Sequence, residues 1–284
     1  MPEINWYPGH MAKTRRLLQE QVKSVDAVIE LCDARAPGAT RNPDLVNMIR
    51  GKNHFLILNK CDLANENATR LWINHFESRG ISCVRFQSTG GKAKEVVSLI
   101  QRAAQPAVDR MKARGANKTV RMMVIGIPNV GKSTFINKLR GQAIAKAGDR
   151  PGVTRSNQWV KVGPFLELLD TPGMLWPKLE NQKNAEILAF LGSIRDQIMD
   201  SEELAGNLIK TLMRIAPAPT MQRFKLTEDC ADKTIQEILE AACKGRGWLL
   251  SGGRFDTERA AALILDEFRG SKVGRITLEL PEEK

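Results

Sequence analysis

The sequence predicts an α/β fold in which a mostly parallel sheet, flanked by helices, is followed by a small helical domain. Short apolar runs alternate with segments of helical periodicity as far as residue 170, and this alternation is typical of βαβ units. After Pro177 the apolar spacing is helical almost throughout. We therefore expect an α/β domain over residues 1–178 and a helical domain over residues 179–284.

The expected elements follow from local patterns along the chain. Buried strands are predicted at four short apolar runs, at residues 27–32, 54–58, 82–86 and 120–125. Two further strands, 158–162 and 165–169, would form a hairpin around Gly163 and Pro164. Apolar spacing predicts helices at 10–23, 43–51, 65–79, 92–113 and 134–140, and then at 184–198, 202–214, 232–244 and 257–269. Pro217 and Pro219 predict a break between the C-terminal helices, and a final strand is predicted at 275–280.

A glycine-rich loop joins the strand at 120–125 to the helix at 134–140. Residues 126–133 read Gly-Ile-Pro-Asn-Val-Gly-Lys-Ser and fit the pattern G-x-x-x-x-G-K-[ST]. Glycines let successive N–H groups wrap around phosphate oxygens, and the helix N-terminus adds positive potential. Lys132 would reach the β- and γ-phosphates and take part in hydrolysis, and the Ser133 hydroxyl would bind Mg²⁺. The nucleotide contacts expected from this loop are those of Asn129, Val130, Gly131, Lys132, Ser133 and Thr134.

Two downstream residues complete the expected metal and γ-phosphate contacts. Asp170 ends the strand at 165–169 and begins the sequence Asp-Thr-Pro-Gly. Its carboxylate is expected to hold Mg²⁺, usually through water, and the Gly173 N–H to meet the γ-phosphate. Thr154 is expected to be a second Mg²⁺ ligand and to contact the γ-phosphate from a mobile switch segment, with a plain turn threonine as the alternative.

A second motif, Asn59-Lys60-Cys61-Asp62, follows the strand at 54–58. Ligands of open α/β sheets bind at the carboxyl ends of the strands. The Asp62 carboxylate can accept hydrogen bonds from guanine N1–H and the 2-amino group together, and adenine offers no such donor pair. Asn59 would contact the base and the neighbouring loop, while the Lys60 stem packs over the purine. A further base-contacting loop is expected at Gln87 and Ser88, where an ordinary polar turn is the alternative.

The order of these motifs is inverted. Ordinary GTPases place the phosphate loop before the base-reading motif, whereas here the base motif comes first, followed by the phosphate loop, Thr154 and the Asp170 segment. The sequence therefore predicts a circularly permuted P-loop GTPase domain. Such a permutation makes the segment after Gly173 the end of the catalytic domain, so we expect the helical domain to anchor it and to respond to nucleotide state.

The charge of the chain indicates a polyanionic partner. The formal net charge is +11, and residues 101–155 alone carry 12 Lys and Arg against 2 Asp and Glu. A basic region of this size suggests nucleic acid, with a merely solubilising surface as the alternative. Ribosomal RNA fits better than DNA because no DNA-reading motif is present. Five cysteines without metal spacing and the lack of a long apolar run favour a cytoplasmic protein without a membrane span.

The motifs together resemble the circularly permuted GTPases of the ribosome biogenesis GTPase A family. The resemblance extends to residues 6–13, 33–35, 41–43, 158–161, 175–177 and 251–253. It implies a GTPase of late large-subunit assembly, weak alone and stimulated by the ribosomal particle, with Mg²⁺ as cofactor and a helical C-terminal domain that binds RNA. Residues 181–284 carry 15 Lys and Arg and 17 Asp and Glu, so RNA contact there would need a local basic face.

The resemblance also bears on hydrolysis. Met174 follows Gly173, where many GTPases carry a glutamine that orients the attacking water, and a thioether cannot do this. By resemblance His10 is the catalytic histidine, and a structural histidine is the alternative. Asn129 matches the asparagine that helps hold K⁺ against the phosphates in potassium-dependent relatives, and a turn asparagine is the alternative.

Two other functions fit the same motifs. One is a nucleotide-gated RNA-binding scaffold with negligible turnover. The other is a GTPase of tRNA modification or translation, although no modification or tRNA-binding module is recognisable in the sequence. We expect coupling of GTP binding and hydrolysis to docking on, and release from, pre-ribosomal particles.

Overall fold

The computed structural model describes most of the 284-residue chain. The described residues are 9–90, 96–102, 105, 109, 113, 119–143, 158–163, 166–175, 182–194 and 200–282. The chain divides into two compact units. The first comprises Met1–Asp62, Glu66–Glu180 and Glu279–Lys284, and the second comprises Leu63–Asn65 and Asn181–Leu278.

The first unit contains a six-stranded sheet with the order β3-β2-β1-β4-β6-β5. Its strands are β1 (Ala27–Asp33), β2 (Asn53–Asn59), β3 (Ser82–Arg85), β4 (Val120–Ile125), β5 (Gln158–Gly163) and β6 (Leu166–Asp170). Neighbouring strands are parallel except for β5, which pairs antiparallel with β6. The predicted mostly parallel sheet and the β5–β6 hairpin are confirmed.

Helices cover this sheet. They are α1 (Gly9–Ser24), α2 (Pro43–Met48), α3 (Glu66–Glu77) and α4 (Lys132–Ala143), and residues 96–102 are also helical. All seven residues of β1 are buried, as expected for a central strand with helices on both faces. One core cluster joins Leu18 of α1 and Leu45 of α2 to Met123 of β4 and Leu169 of β6.

Helix α2 is shorter than the predicted 43–51 because the chain turns after Met48. Its start is well defined, since the Asn42 side chain accepts a hydrogen bond from the Asp44 N–H and Pro43 occupies the first turn. Its end is followed by Gly51 in the left-handed region, at a φ of +84°, which ends a helix at little steric cost.

The second unit is helical. It contains α5 (Gln182–Phe190), α6 (Ser201–Ile215), α7 (Pro217–Phe224), α8 (Ile235–Arg246) and α9 (Thr257–Arg269), with a 3₁₀ turn at Glu228–Asp232. The central helix α6 is capped by Asp200, whose side chain accepts hydrogen bonds from the N–H groups of Glu202 and Glu203. Its buried face packs against α8 and α9. Among the described residues, no helix is long and apolar enough to cross a membrane.

The predicted break between the C-terminal helices is confirmed: α6 ends at Ile215, and Pro217 begins α7, where its missing N–H would have no intrahelical partner in any case. The predicted final strand was wrong. Residues 275–280 form no strand. Ile276 and Leu278 are buried as the alternating pattern indicates, but the Thr277 hydroxyl accepts a hydrogen bond from the Asn65 N–H and no strand pairs with this described segment.

Candidate nucleotide-binding site

The predicted motifs meet at one edge of the sheet. Strand β1 ends at Asp33, β2 at Asn59 and β6 at Asp170, and the phosphate loop follows β4. Asp33 lies opposite Asn59 in the register of β1 and β2, and Val124 lies opposite Asp170 in that of β4 and β6. Because these four strands are parallel, all their carboxyl ends lie on the same side, where ligands bind in α/β sheets.

The phosphate loop needs glycine at two points of close approach. Gly126 has a φ of +153°, and a Cβ there would lie 2.6 Å from the Leu31 carbonyl oxygen. Gly131 has a φ of +93°, and a Cβ there would lie 2.5 Å from Asn59 Nδ2. Asn129 adopts the left-handed region at a φ of +62°. The loop therefore follows a path that the motif glycines permit and larger side chains would obstruct.

Lys132 is the first residue of α4, and its ammonium group turns back over the loop. Its Nζ donates hydrogen bonds to the carbonyl oxygens of Gly126 (3.1 Å) and Ile127 (2.9 Å). Burial lowers the pKa of Lys132 to about 8, although the Asp170 carboxylate works in the opposite direction. A buried cation whose hydrogen bonds go to neutral carbonyl groups is well suited to bind an anion.

Oxygen ligands for Mg²⁺ flank this lysine. Ser133 stands next to it in α4, and Asp170 ends the adjacent parallel strand and interacts with it electrostatically. A hydroxyl and a carboxylate are hard ligands of the kind Mg²⁺ prefers together with phosphate oxygens, so these residues fit that ion. The described residues contain no group of three or more His, Cys, Asp or Glu side chains that could hold a metal by themselves, so phosphate oxygens would have to complete the Mg²⁺ site. The predicted third contact, Thr154, lies outside the described residues.

The Asp-Thr-Pro-Gly segment lies directly against the phosphate loop. Thr171 Oγ1 donates a hydrogen bond to the Val124 carbonyl oxygen (2.6 Å). A Cβ on Gly173 would lie 2.6 Å from the Pro128 backbone nitrogen, so only glycine fits there without displacement. The Met174 N–H donates to the Gly126 carbonyl oxygen (3.3 Å). The segment that is expected to contact the γ-phosphate is thereby held beside the loop.

Met174 is a core residue. Its side chain is 1% exposed and packs in the cluster that contains Leu45 and Leu169. Its carbonyl oxygen accepts a hydrogen bond from Asn42 Nδ2 (2.8 Å). Apolar packing thus accounts for a thioether at a position where other GTPases carry a glutamine.

The base motif is bonded to the phosphate loop. Asn59 Nδ2 donates to the Val130 carbonyl oxygen (2.8 Å), and Asn59 Oδ1 accepts from Ser88 Oγ (2.8 Å). Lys60, with a φ of +60°, donates from Nζ to the Asn129 carbonyl oxygen (2.6 Å). Ser88, which the sequence suggested as a base contact, here orients Asn59.

A buried ion pair at the end of β1 holds Lys60 from the other side. Asp33 Oδ2 lies 3.0 Å from Lys60 Nζ, and the Asp33 carboxylate also accepts hydrogen bonds from Arg35 Nε (2.9 Å) and Nη2 (2.8 Å). Burial opposes ionisation of Asp33, but Lys60 and Arg35 outweigh it and hold the pKa of Asp33 well below its usual range. In the sequence, residues 33–35 indicated only the family resemblance. The signal available in the sequence was the Asp33 carboxylate, which directly follows a strand predicted to be buried.

Asp62 presents an unsatisfied acceptor. Its side chain is half-buried, and its Oδ1 is buried without accepting a hydrogen bond from any residue that the structure describes. Buried polar atoms normally have partners. The paired donors of a guanine edge would supply them here.

The predicted site residues that the structure describes lie at this sheet edge. They are Asn59, Lys60, Cys61, Asp62, Gln87, Ser88, Asn129, Val130, Gly131, Lys132, Ser133, Thr134, Asp170 and Gly173. His10 belongs to α1, but its side chain is outside the described part of the structure, as is Thr154.

Comparisons with known proteins agree with this geometry. A family model described as 50S ribosome-binding GTPase matches residues 121–238. A protein named ribosome biogenesis GTPase A from Bacillus cereus is 42% identical to this chain, and the match covers 99% of this chain and 95% of that protein. The protein of the same name from Priestia megaterium is 43% identical, with 99% and 98% covered. The GDP-bound structure of YlqF from T. maritima has a TM-score of 0.68 at 25% identity, with 94% of this chain and 100% of that chain covered. The circularly permuted GTPase fold is confirmed, and the family model begins in β4 because the base motif precedes it.

We expect affinity for GDP to fall as pH rises above about 8. Below that pH Lys132 is charged before GDP binds; above it, binding requires proton uptake because phosphate raises the lysine pKa again. The phosphates themselves are fully ionised in this range. The affinity should drop by up to about tenfold per pH unit. Titration calorimetry in buffers of different ionisation enthalpy measures both affinity and proton uptake. Lys132→Arg should abolish the dependence, and constant affinity of the native protein from about pH 7 to 9.5 would contradict it.

Asp33→Asn should speed GDP dissociation by about tenfold or more, because Lys60 and the buried Arg35 both lose the carboxylate charge that holds them in place. Hydrolysis per bound GTP should change little. Stopped-flow displacement of a fluorescent GDP analogue measures the dissociation rate. Glu30→Gln is a matched control, since Glu30 is buried on the opposite face of β1 and pairs with His54 and Arg41. If both variants dissociate GDP equally fast, Asp33 has only a structural role.

Proposed function

The chain belongs to the ribosome biogenesis GTPase A family, and we propose that it couples GTP binding and hydrolysis to docking on, and release from, precursors of the large ribosomal subunit late in their assembly. It is a GTPase of ribosome assembly, and we assign this activity to the cytoplasm. Stimulation of its hydrolysis by the ribosomal particle belongs to the same proposal.

The observation that carries this proposal is the direct bonding of the base motif to the phosphate loop. Asn59 and Lys60 each donate a side-chain hydrogen bond to a loop carbonyl, so a single site contains elements for both ends of a guanine nucleotide. The Asp62 carboxylate, whose Oδ1 accepts no hydrogen bond from the described residues, would accept the guanine N1–H and 2-amino hydrogen bonds. Lys132 would exchange the carbonyls of Gly126 and Ile127 for phosphate oxygens.

The hydrolytic step draws on residues around the γ-phosphate position. Ser133, Asp170 and Thr154 would hold Mg²⁺, which neutralises charge on the β- and γ-phosphate oxygens when bound. Since Met174 is buried in the core, we assign orientation of the attacking water to His10. Asn129 would add a K⁺ contact.

The helical segment 179–284 would supply the ribosome-binding domain. Particle binding and nucleotide state would be linked through the segment after Gly173, which leaves the GTPase fold at this point. The pre-ribosomal partner would present ribosomal RNA together with ribosomal proteins.

Asp62→Asn should weaken GTP binding and relax discrimination against xanthine nucleotides. The amide replaces one acceptor by a donor, and the xanthine ring presents an acceptor where guanine carries its 2-amino group. Competition binding with GDP and xanthosine diphosphate measures the ratio of affinities. Lys132→Ala is the comparison variant, because it should weaken both nucleotides without altering their ratio. An unchanged ratio in Asp62→Asn would remove Asp62 from the base contact.

Single-turnover GTP hydrolysis should be faster when large-subunit particles are added, and His10→Ala should lose most of that stimulation. General acid–base or water-orienting groups typically contribute about 10²–10⁴-fold, while GTP affinity and particle binding should stay near normal. Parallel reactions in KCl and NaCl test the K⁺ contact.

His75→Ala is the matched control for His10→Ala. His75 lies near the end of α3, which leads to the amino end of β3, and the nucleotide motifs lie at the carboxyl ends of the strands. Absence of stimulation in the native protein would favour a nucleotide-gated scaffold with negligible turnover. If particles stimulate His10→Ala to within about twofold of the native rate, a group other than His10 orients the attacking water.

A further inference from the structure

A basic cleft lies within the helical unit, although residues 181–284 carry more acidic than basic residues. Its volume is about 480 Å³, within the range of roughly 300–1,000 Å³ that small-ligand sites occupy. Two apolar residues and Gln222 line it together with four cationic side chains: Arg223, Lys225, Arg246 and Lys272. No carboxylate is among the lining residues.

One buried carboxylate holds the two arginines in place. Glu267 is 5% exposed, and it accepts hydrogen bonds from Arg223 Nε (2.8 Å) and Nη2 (2.7 Å) and from Arg246 Nη2 (3.1 Å). Burial favours the protonated form of Glu267, but the hydrogen bonds from the two arginines outweigh it and lower its pKa. Two guanidinium groups share one carboxylate, so this part of the cleft keeps a net positive charge.

The second arginine is fixed by two more contacts. Arg246 Nη1 donates to the Arg223 carbonyl oxygen (2.8 Å), and the guanidinium carbon lies 5.0 Å from the centre of the Trp248 ring. A guanidinium has five N–H donors, and the hydrogen bonds above occupy only some of them. The cations are thus pre-organised and retain donors for a ligand.

The two lysines have no acidic partner in the part of the chain that the structure describes, and both are exposed. Lys225 ends α7 in the left-handed region at a φ of +57°. A Cβ on Gly245 would lie 2.5 Å from Lys225 Cβ, so glycine allows α8 to pass close to it. Lys272 follows Ser271, which is also left-handed, at +56°, and whose hydroxyl donates to the Gly274 carbonyl oxygen (2.8 Å). Both lysines project from defined turns.

We propose that this cleft binds phosphodiester groups of ribosomal RNA. The inference deepens the proposed function and rests on it, since it specifies how the helical unit would contact a pre-ribosomal particle. Clustered Lys and Arg with few apolar neighbours match a phosphate backbone. An acidic protein would be expected to use apolar or aromatic anchors at the centre of its interface, and the cleft offers only Pro219 and Val273.

The test uses the full-length double variant Lys225→Ala/Lys272→Ala. Its binding to purified large-subunit ribosomal RNA and to large-subunit particles is measured at several salt concentrations. We expect about tenfold weaker binding to both, with the slope of log affinity against log salt reduced by about 2, because each alanine removes the cation that neutralises one phosphate. GDP affinity and basal hydrolysis should be unchanged, because neither lysine lies in the nucleotide site.

Two further variants distinguish RNA binding by the cleft from a general effect of positive charge on the helical unit. Lys225→Arg/Lys272→Arg should keep native affinity and salt slope. Lys233→Ala/Lys244→Ala removes the same charge from the helical unit outside the cleft lining, and it should bind RNA nearly as the native protein does. Circular dichroism and thermal unfolding confirm that each variant is folded.

Each outcome of these binding measurements either supports or overturns the cleft as the RNA site. Unchanged RNA and particle binding in Lys225→Ala/Lys272→Ala would overturn the cleft and leave the proposed function standing. An equal loss in the Lys233/Lys244 variant would overturn it in favour of general charge. Weaker binding to particles but not to RNA would indicate an acidic protein as the occupant, and it too would overturn the RNA assignment. If the native protein binds neither RNA nor particles, the cleft and the proposed function both fail.

Discussion

The Lys60 ammonium group is the contact on which the nucleotide site depends most. It joins the Asp33 carboxylate at the end of β1 to the Asn129 carbonyl of the phosphate loop, while the neighbouring Asn59 bonds to Val130. The strands involved are adjacent in the sheet order β2-β1-β4, so the ties depend on spatial neighbours and not on which motif comes first in the chain. Circular permutation therefore leaves the site chemically intact.

Permutation changes where the chain leaves the nucleotide site, and the residues that follow Gly173 are fixed there by packing and a hydrogen bond. The segment after Gly173 is the end of the GTPase fold, and Met174 and Leu175 are each 1% exposed. Asn42 bonds to the Met174 carbonyl from the start of α2. The chain is thus already fixed one residue beyond the phosphate-loop contact, by packing that a polar glutamine at 174 could not provide. The burial of Met174 therefore explains two features together: the missing water-orienting glutamine and the anchoring of the end of the permuted domain.

What the sequence predicted well is what local chemistry determines. Gly126 and Gly131 are required by positive φ and close backbone approach, and the buried strands are short apolar runs. Long-range strand pairing was harder to predict: Ile276 and Leu278 are buried as their spacing indicated, yet no strand within the described residues pairs with them. Arg35 was missed because a charged residue is normally exposed, whereas here it is 2% exposed and paired with Asp33. The basic cleft was hidden because a net charge sums over residues that the fold separates.

The two cationic regions would bind anions by different physics. Lys132 is buried against carbonyl groups, its pKa is depressed by that burial, and its charge is poorly screened, so phosphate gains a strong and geometrically specific contact. Lys225 and Lys272 are exposed, so their attraction is screened over about 10 Å at 0.1 M salt and adapts to the shape of the ligand. The first arrangement suits recognition of one small nucleotide in a fixed pose. The second suits reversible docking on an extended phosphate surface, where each contact is weak and release must remain easy.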